Sequence, residues 1–436
     1  MILERSSMAF PSLSAPALRR GVTLLMAGLV VQAMGHSFVL IVLPALGRQM
    51  GIADVRIGLI LSLSALVLSL SAPLWGMIGD TWGRRRVILI ALAAAAAFPA
   101  LLALLLYGRL SLGVSATATF AMLLALRLVL AALGGGLMPA AQAYLADVTS
   151  REGRARGMGG MGAAFGLGGL AGAGLAFALG GRGWMPALGL LSGVAALVVI
   201  LVWRGLSEPP RAVLPQTSGA VRLRPLAPFL GITISGLAVY SLIGQVTVLR
   251  LQDGFGLSLE ASIGTAGGLM MLTMLAMITA QGLIVPRLAR TPGTLLRVGS
   301  VVALLAGLLA LAAPQVAVLG VAMAGLGAGL GLTLPGNLTA LSLRGGPGVQ
   351  ARVAGINALA QGAGLALGPL LGAGLHQISP VAPYGAATGF LLGVGVLAWG
   401  ATRGGCSPDA LARSPADRPQ GRAAHTEALP SKETAS

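Results

Sequence analysis

The sequence predicts an all-α membrane protein of twelve spanning helices arranged as two six-helix bundles. Three observations predict it. Of 436 residues, 56% are hydrophobic and only 9% are charged, and the mean hydropathy is +0.88. A soluble domain carries about 25% charged residues. Twelve apolar runs follow one another, each about as long as the roughly 20 residues that cross a 30 Å hydrocarbon core as helix. Finally, the basic residues gather in alternate connections between runs.

The runs fall at about 21–45, 57–79, 86–107, 117–146, 156–180 and 184–203, then 228–250, 261–286, 294–314, 316–341, 352–376 and 381–402. Residues 1–20 form a polar leading segment ending in Arg19-Arg20. The first run is too long for a signal-peptide core and is read as a retained helix. Residues 21–203 make the first bundle and 228–402 the second. Between them lies a linker, 204–227, with Pro209, Pro210, Pro215 and Pro225 among Arg204, Arg211, Arg222 and Arg224. Residues 403–436, rich in Pro, Ser, Ala and Arg, form a tail expected to be disordered. The 66 glycines suit helices whose backbones touch in lipid. The five tryptophans, Trp75, Trp82, Trp184, Trp203 and Trp399, fall near run ends, as interfacial anchors do.

Charge sets the orientation. Among 29 Lys and Arg residues, Arg48, Arg56, Arg109, Arg182 and Arg250 fall in one set of connections and Arg127 falls inside a run; the remainder share the opposite side with both termini. The positive-inside rule places that side, and both termini, in the cytoplasm, here of a cell inner membrane. The net charge of +17 is then topology and not a nucleic-acid surface. The basic linker could also touch anionic lipid, but a solvated cytoplasmic face is the simpler reading and the one preferred.

The connection after the second run reads Gly76-Met77-Ile78-Gly79-Asp80-Thr81-Trp82-Gly83-Arg84-Arg85-Arg86. Its glycines allow a tight turn, and its charges must sit in water or headgroups. The spacing of Gly76, Asp80, Gly83, Arg84 and Arg85 resembles the cytoplasmic loop signature of the major facilitator superfamily, with Thr81 where that family usually has arginine. The halves also repeat. Gly162–Gly174 in the fifth run is matched by Gly362–Gly374 in the eleventh. Gly168 and Gly172 resemble the family's antiporter motif, with Ala173 in the proline position; Gly364, Gly368, Pro369 and Gly372 carry that form intact. The resemblance implies close helix contact across the interface between the bundles at these glycines. Asp147, Arg154 and Arg156 resemble the family's second cytoplasmic loop, and 251–258 with Gln281-Gly282 resemble its drug-efflux branch. From the resemblance follow alternating access, a substrate near the midplane, and a loop around Asp80 and Arg84 that steadies one closed state.

None of the twelve acids lies in the middle of a run. Many proton-driven members of the drug-efflux branch carry a membrane carboxylate, and this chain has none there. Two groups remain near the midplane, His36 in the first run and Arg127 in the fourth. An arginine at that depth must face a cavity or a partner. In the resembling fold the first, fourth, seventh and tenth helices line the cleft, so both would face one cavity. His36 is then the candidate proton carrier and Arg127 the group that biases it; a plain helix–helix hydrogen bond also fits His36, and a counter-charge for an anionic substrate also fits Arg127. Gln32, Gln142, Tyr240, Gln245, Asn337, Asn357 and Gln361 are candidates for the sparse polar lining. Met270, Met274 and Met277 recur at helical spacing, as packing or as a permissive pocket wall.

No Walker loop, zinc motif, nucleophile elbow or histidine cluster appears, and the lone Cys406 lies in the tail. No enzyme activity, metal or cofactor is expected. The expected partners are a small-molecule substrate, protons as coupling ion and the lipid bilayer. The leading expectation is proton-coupled efflux of small hydrophobic molecules. Uptake or facilitated transport of a neutral or anionic metabolite, and a non-transporting assembly or sensory role for the same fold, are the alternatives.

Overall fold

The computed structural model describes residues 15–149, 151–179, 184–209, 222–288, 291–345 and 350–403. The leading segment to residue 14, the middle of the linker, the tail and the side chains of Arg154 and Arg156 lie outside the described residues. Among the described residues, twelve helices are long and apolar enough to span a membrane. They are α1 (Ala15–Gln49), α2 (Asp54–Trp82), α3 (Arg84–Ser111), α4 (Ala116–Val148), α5 (Arg151–Leu179) and α6 (Trp184–Gly205), then α7 (Ala227–Asp253), α8 (Leu259–Arg287), α9 (Pro292–Ala312), α10 (Val316–Gly345), α11 (Gln350–His376) and α12 (Ala382–Arg403).

Two helices are interrupted. The fourth run reads as continuous in sequence, but α4 breaks into Ala116–Gly134 and Leu137–Val148. A Cβ at Gly135 would lie 2.6 Å from the Leu68 carbonyl and one at Gly136 2.6 Å from Val87, so only glycine lets α2 and α3 approach this close. The break frees the Ala132 carbonyl, and the Trp75 indole donates to it at 2.6 Å. Trp75 is thus a clasp between α2 and α4 and not only an anchor. In α8 the π-turn Ala280–Ile284 precedes Pro286. Such turns absorb an extra residue and re-aim the helix.

Glycines set the packing within each half. At Gly168 and Gly172 of α5, an added Cβ would lie 2.2 Å from the carbonyls of Val30 and Met34 on α1. At Gly364 and Gly368 of α11 it would lie 2.5 and 2.6 Å from the carbonyls of Ile234 and Ala238 on α7, and at Gly372 it would lie 2.8 Å from Val246. The expectation is refined: the glycines themselves seal α1 to α5 and α7 to α11, the same pair in each repeat, while Pro369 of the same motif and other faces of α5 and α11 meet the opposite bundle. The glycines' spacing of four keeps them on one face, and that face points inward.

The seam between bundles uses other faces. Gly58 of α2 meets the Pro369 carbonyl of α11, where a Cβ would come within 2.7 Å, and Ser62 Oγ accepts the Leu370 amide at 2.9 Å. Gly267 of α8 lies against the backbone of Ala173 and Phe177 on α5. Met271 and Met274 sit against Gly174 and Gly169. The methionine stripe is packing, with Met270 and Met274 buried.

The core has a corresponding asymmetry. At the end opposite the arginine-rich loops, one hydrophobic cluster draws on both bundles, from Phe38, Leu46 and Ile60 to Val246, Ile263 and Leu330. Toward the basic end the cores part: one around Leu25, Val87, Leu137 and Val202, and others around Phe229, Leu296 and Ala340 and around Leu295 and Leu332. The bundles are joined at the far end and separate at the basic end.

Candidate functional site

The separation creates a cleft, and α1 shows where it reaches. This helix and α7 are the most buried spans of the molecule. Yet His36 is exposed, and nothing lies within 4 Å of a Cβ built at its neighbour Gly35. Exposure in the middle of a central helix means an internal space and not a lipid face. One turn before His36, Gln32 is half-buried with its Oε1 unpartnered among the described residues. Directly beyond, Phe38 to Leu46 are closed into the shared core.

Arg127 comes from α4. Its guanidinium lies over the Phe98 ring of α3 at 4.6 Å, a favourable stack for a delocalised cation. Its Nε has no hydrogen-bond partner among the described residues. His36 and Arg127 come from different helices of the first bundle, α1 and α4.

The polar candidates divide. Tyr240 is half-buried, while Gln142 and Gln361 are exposed on the basic half of α4 and near the middle of α11. Gln245 is fully buried, and neither end of its amide has a partner among the described residues. Asn337 and Asn357 are not cleft residues. Asn337 Nδ2 donates to the Phe229 carbonyl and to Thr233 Oγ1, both at 2.9 Å, and Thr233 Oγ1 donates to Asn357 Oδ1 at 2.8 Å. All three side chains are buried, and they tie α7, α10 and α11 together inside the second bundle. Sequence alone cannot separate the two faces of a helix whose apolar residues run all the way round.

At the basic end, Arg84 pairs with Asp80 and reaches Asp147 at 3.6 Å. Gly83 turns the chain between α2 and α3 at φ +103°. Glu208 beyond α6 accepts the backbone amides of Arg84 at 2.6 Å and Arg85 at 3.0 Å, and Arg85 donates to the Trp203 carbonyl. Gly76 has only Pro139 nearby. The loop is thus tied to the first bundle and, through Glu208, to the start of the linker. Glu208 went unread in the sequence; its signal is a lone acid in a basic linker.

At the far end the bundles are latched. Arg48 at the end of α1 donates to both carboxylate oxygens of Asp253 on α7, at 2.8 and 2.6 Å. This pair was also missed. Arg48 reads as an ordinary loop charge until the fold brings 205 residues of separation together.

The comparisons with known proteins agree with this architecture. The Major Facilitator Superfamily model matches residues 25–369. The chain is 33% identical over 141 residues to the class C tetracycline resistance protein of Escherichia coli, covering 32% of each, and 32% identical over 185 residues to the class G protein of Vibrio anguillarum, covering 40% of this chain and 38% of that one. It thus spans about a third of the length of these curated relatives. The fold superposes on an inward-facing, occupied crystal structure of a bacterial homolog of the human lysosomal transporter Spinster, with TM-score 0.68, 17% identity, and 90% of this chain and 98% of that one covered. It also superposes on the human organic anion transporter MFSD10, with TM-score 0.64, 22% identity, and 87% and 99% covered. With most of its length matched by the family model and twelve helices fit to cross a bilayer, the chain is a multi-pass membrane protein that belongs to the Major Facilitator Superfamily, a family of transporters and not of enzymes.

Proposed function

We propose that the protein is a secondary active transporter that exports small hydrophobic molecules in exchange for protons, by alternating access. The observation that carries the reading is the internal space at Gly35 and His36, below a core shared by both bundles and above two cores that part. Two rigid bundles around a central site near the midplane are what a rocking transporter requires. The arginine-rich end faces the cytoplasm of a cell inner membrane, by the positive-inside rule. The described state then opens inward, ready to take substrate from the cytoplasm or the inner leaflet. The partial likeness to tetracycline resistance proteins favours drug-like substrates.

In this reading His36 carries the proton, Arg127 biases it, and Gln32, Tyr240, Gln142, Gln361 and Gln245 give the apolar cleft its few polar contacts. The loop from Gly76 to Arg85 steadies the state in which the inner side is closed. The test is uptake of tetracycline and of hydrophobic dyes into inside-out vesicles with an acidified lumen. Accumulation that collapses with a protonophore supports the reading, and its absence for every compound overturns it. Should His36→Ala transport with an unchanged pH profile, the proton-carrier role falls.

A second reading, transport of an anionic metabolite, is favoured by one observation. Arg127 lies near the midplane with no carboxylate paired to it among the described residues. Competition between dyes of opposite charge separates the two.

A further inference from the structure

The latch at the far end contains a titratable group that the transport reading does not use. His376, the last residue of α11, is only 6% exposed, and its Nε2 lies 2.8 Å from Asp253 Oδ2. Asp253 is thus held from two sides. Arg48 grips it across the seam, and His376 grips it from within its own bundle. Arg48 also takes Gln252 Oε1 at 3.1 Å and both oxygens of Asp54 at 2.9 and 2.7 Å.

The charges divide by bundle. Arg48 and Asp54 belong to α1 and α2, so they move together and cancel. Asp253 and His376 belong to α7 and α11. With neutral imidazole, their side of the seam carries one negative charge, which Arg48 meets. With protonated imidazole, that side carries none, and a second cation faces Arg48. The surrounding charges do not change this count. Arg250, one turn before Asp253, is turned away onto the carbonyls of Ala310 and Ala313 and the Tyr384 ring. Arg109 donates to the Met50 carbonyl, Arg56 lies over Phe120, and Glu260 is exposed at the start of α8.

We propose that His376 is a proton-binding site that controls the outer gate: a proton on the imidazole competes with Arg48 for Asp253 and releases the latch. Two effects have the same sign. The added cation repels Arg48, and closing the seam buries a charged ring that opening would hydrate. The open form therefore binds the proton more tightly than the closed form. By linkage, lower pH favours the open form. The inference rests on the alternating-access reading and adds a response to outer pH that is separate from the proton moved with substrate.

The test measures the gate directly. Leu112 and Ile378, 70% and 77% exposed at the far ends of opposite bundles, take spin labels as Leu112→Cys and Ile378→Cys in a Cys406→Ser background. Distance distributions by electron–electron resonance in nanodiscs are compared between pH 8 and pH 5.5, a range in which ordinary carboxylates stay ionised. In the wild type, the ratio of long to short distance should rise about tenfold, the size of a one-unit difference in proton affinity. His376→Gln keeps the hydrogen bond without the titration and should stay short at both pH values. His376→Lys, permanently charged, should be long at both. A single short distance at every pH, a shift in the opposite direction, or a pH response that survives in His376→Gln overturns the proposal. No substrate enters the readout. A protein that shows the shift yet moves no drug sustains the latch and sinks the export reading alone.

Discussion

Gly83 and Glu208 are fitted to each other. A Cβ at Gly83 would lie 2.8 Å from the Glu208 carboxylate, which caps the first amides of α3. The turn at Gly83 also has φ +103° and ψ 148°, next to a region open almost solely to glycine. Two separate costs follow. Glu208→Ala leaves the α3 start uncapped, at about 1 kcal/mol. Gly83→Ala adds backbone strain and a clash, at about 1–3 kcal/mol more. Melting of the two variants in detergent should rank them in that order. Equal melting temperatures would show that the turn conformation contributes nothing.

Arg127 gives a prediction in which stability and activity separate. Its guanidinium has Phe98 on one face and no carboxylate among the described residues. A cation held at membrane depth without a counter-charge costs stability, and such sites persist for function. Arg127→Leu should therefore melt no earlier than the wild type while losing at least about tenfold in transport, since one contact to a charge is worth roughly 1.5–3 kcal/mol. Early melting would mark Arg127 as a structural residue instead.

Much of this was legible in the sequence, and particular residues show why the rest was not. Helix number came from apolar length, a property of the chain itself. Gly83 and Arg84 stood out because their requirements are local: a positive φ and a charge that must reach water. His36 and Arg127 stood out because polar groups at mid-span are rare. The Arg48–Asp253 pair and the partners of Glu208 were hidden, since each link spans more than a hundred residues and each charge looks like an ordinary loop charge. Gly168 and Gly364 were recognised as contact residues, but a spacing of four names a face and not the helix that it meets.

The buried amide cluster of the second bundle makes a test of role. Asn337 holds α7 through Phe229 and Thr233, and Thr233 passes the link to Asn357 on α11. Removing Asn337 strands buried polar atoms, so Asn337→Ala should cost about 1–3 kcal/mol. Asn357→Ala shares the same network, and the double variant should cost less than the two single ones added. Substrate KM should be unchanged in each. A raised KM with normal melting would return these residues to the transport path.

The two classes of glycine should fail differently. Gly58 and Gly267 press on backbone of the opposite bundle, with added Cβ atoms 2.7 Å from the Pro369 carbonyl and 2.4 Å from the Phe177 amide. Backbone cannot step aside as a side chain can, so Gly58→Ala and Gly267→Ala should push the far ends apart and favour the outward-open state. Gly168 and Gly368 press on helices of their own bundle, so Gly168→Ala and Gly368→Ala should lower melting without choosing a state. A buried seam residue, Leu40, packs against Gly244 and reports the difference. Thiol labelling of Leu40→Cys should speed up in the first pair and not in the second. Equal labelling in both pairs would mean that the seam yields as readily as the bundle interior, and that two stiff bodies are the wrong description of this protein.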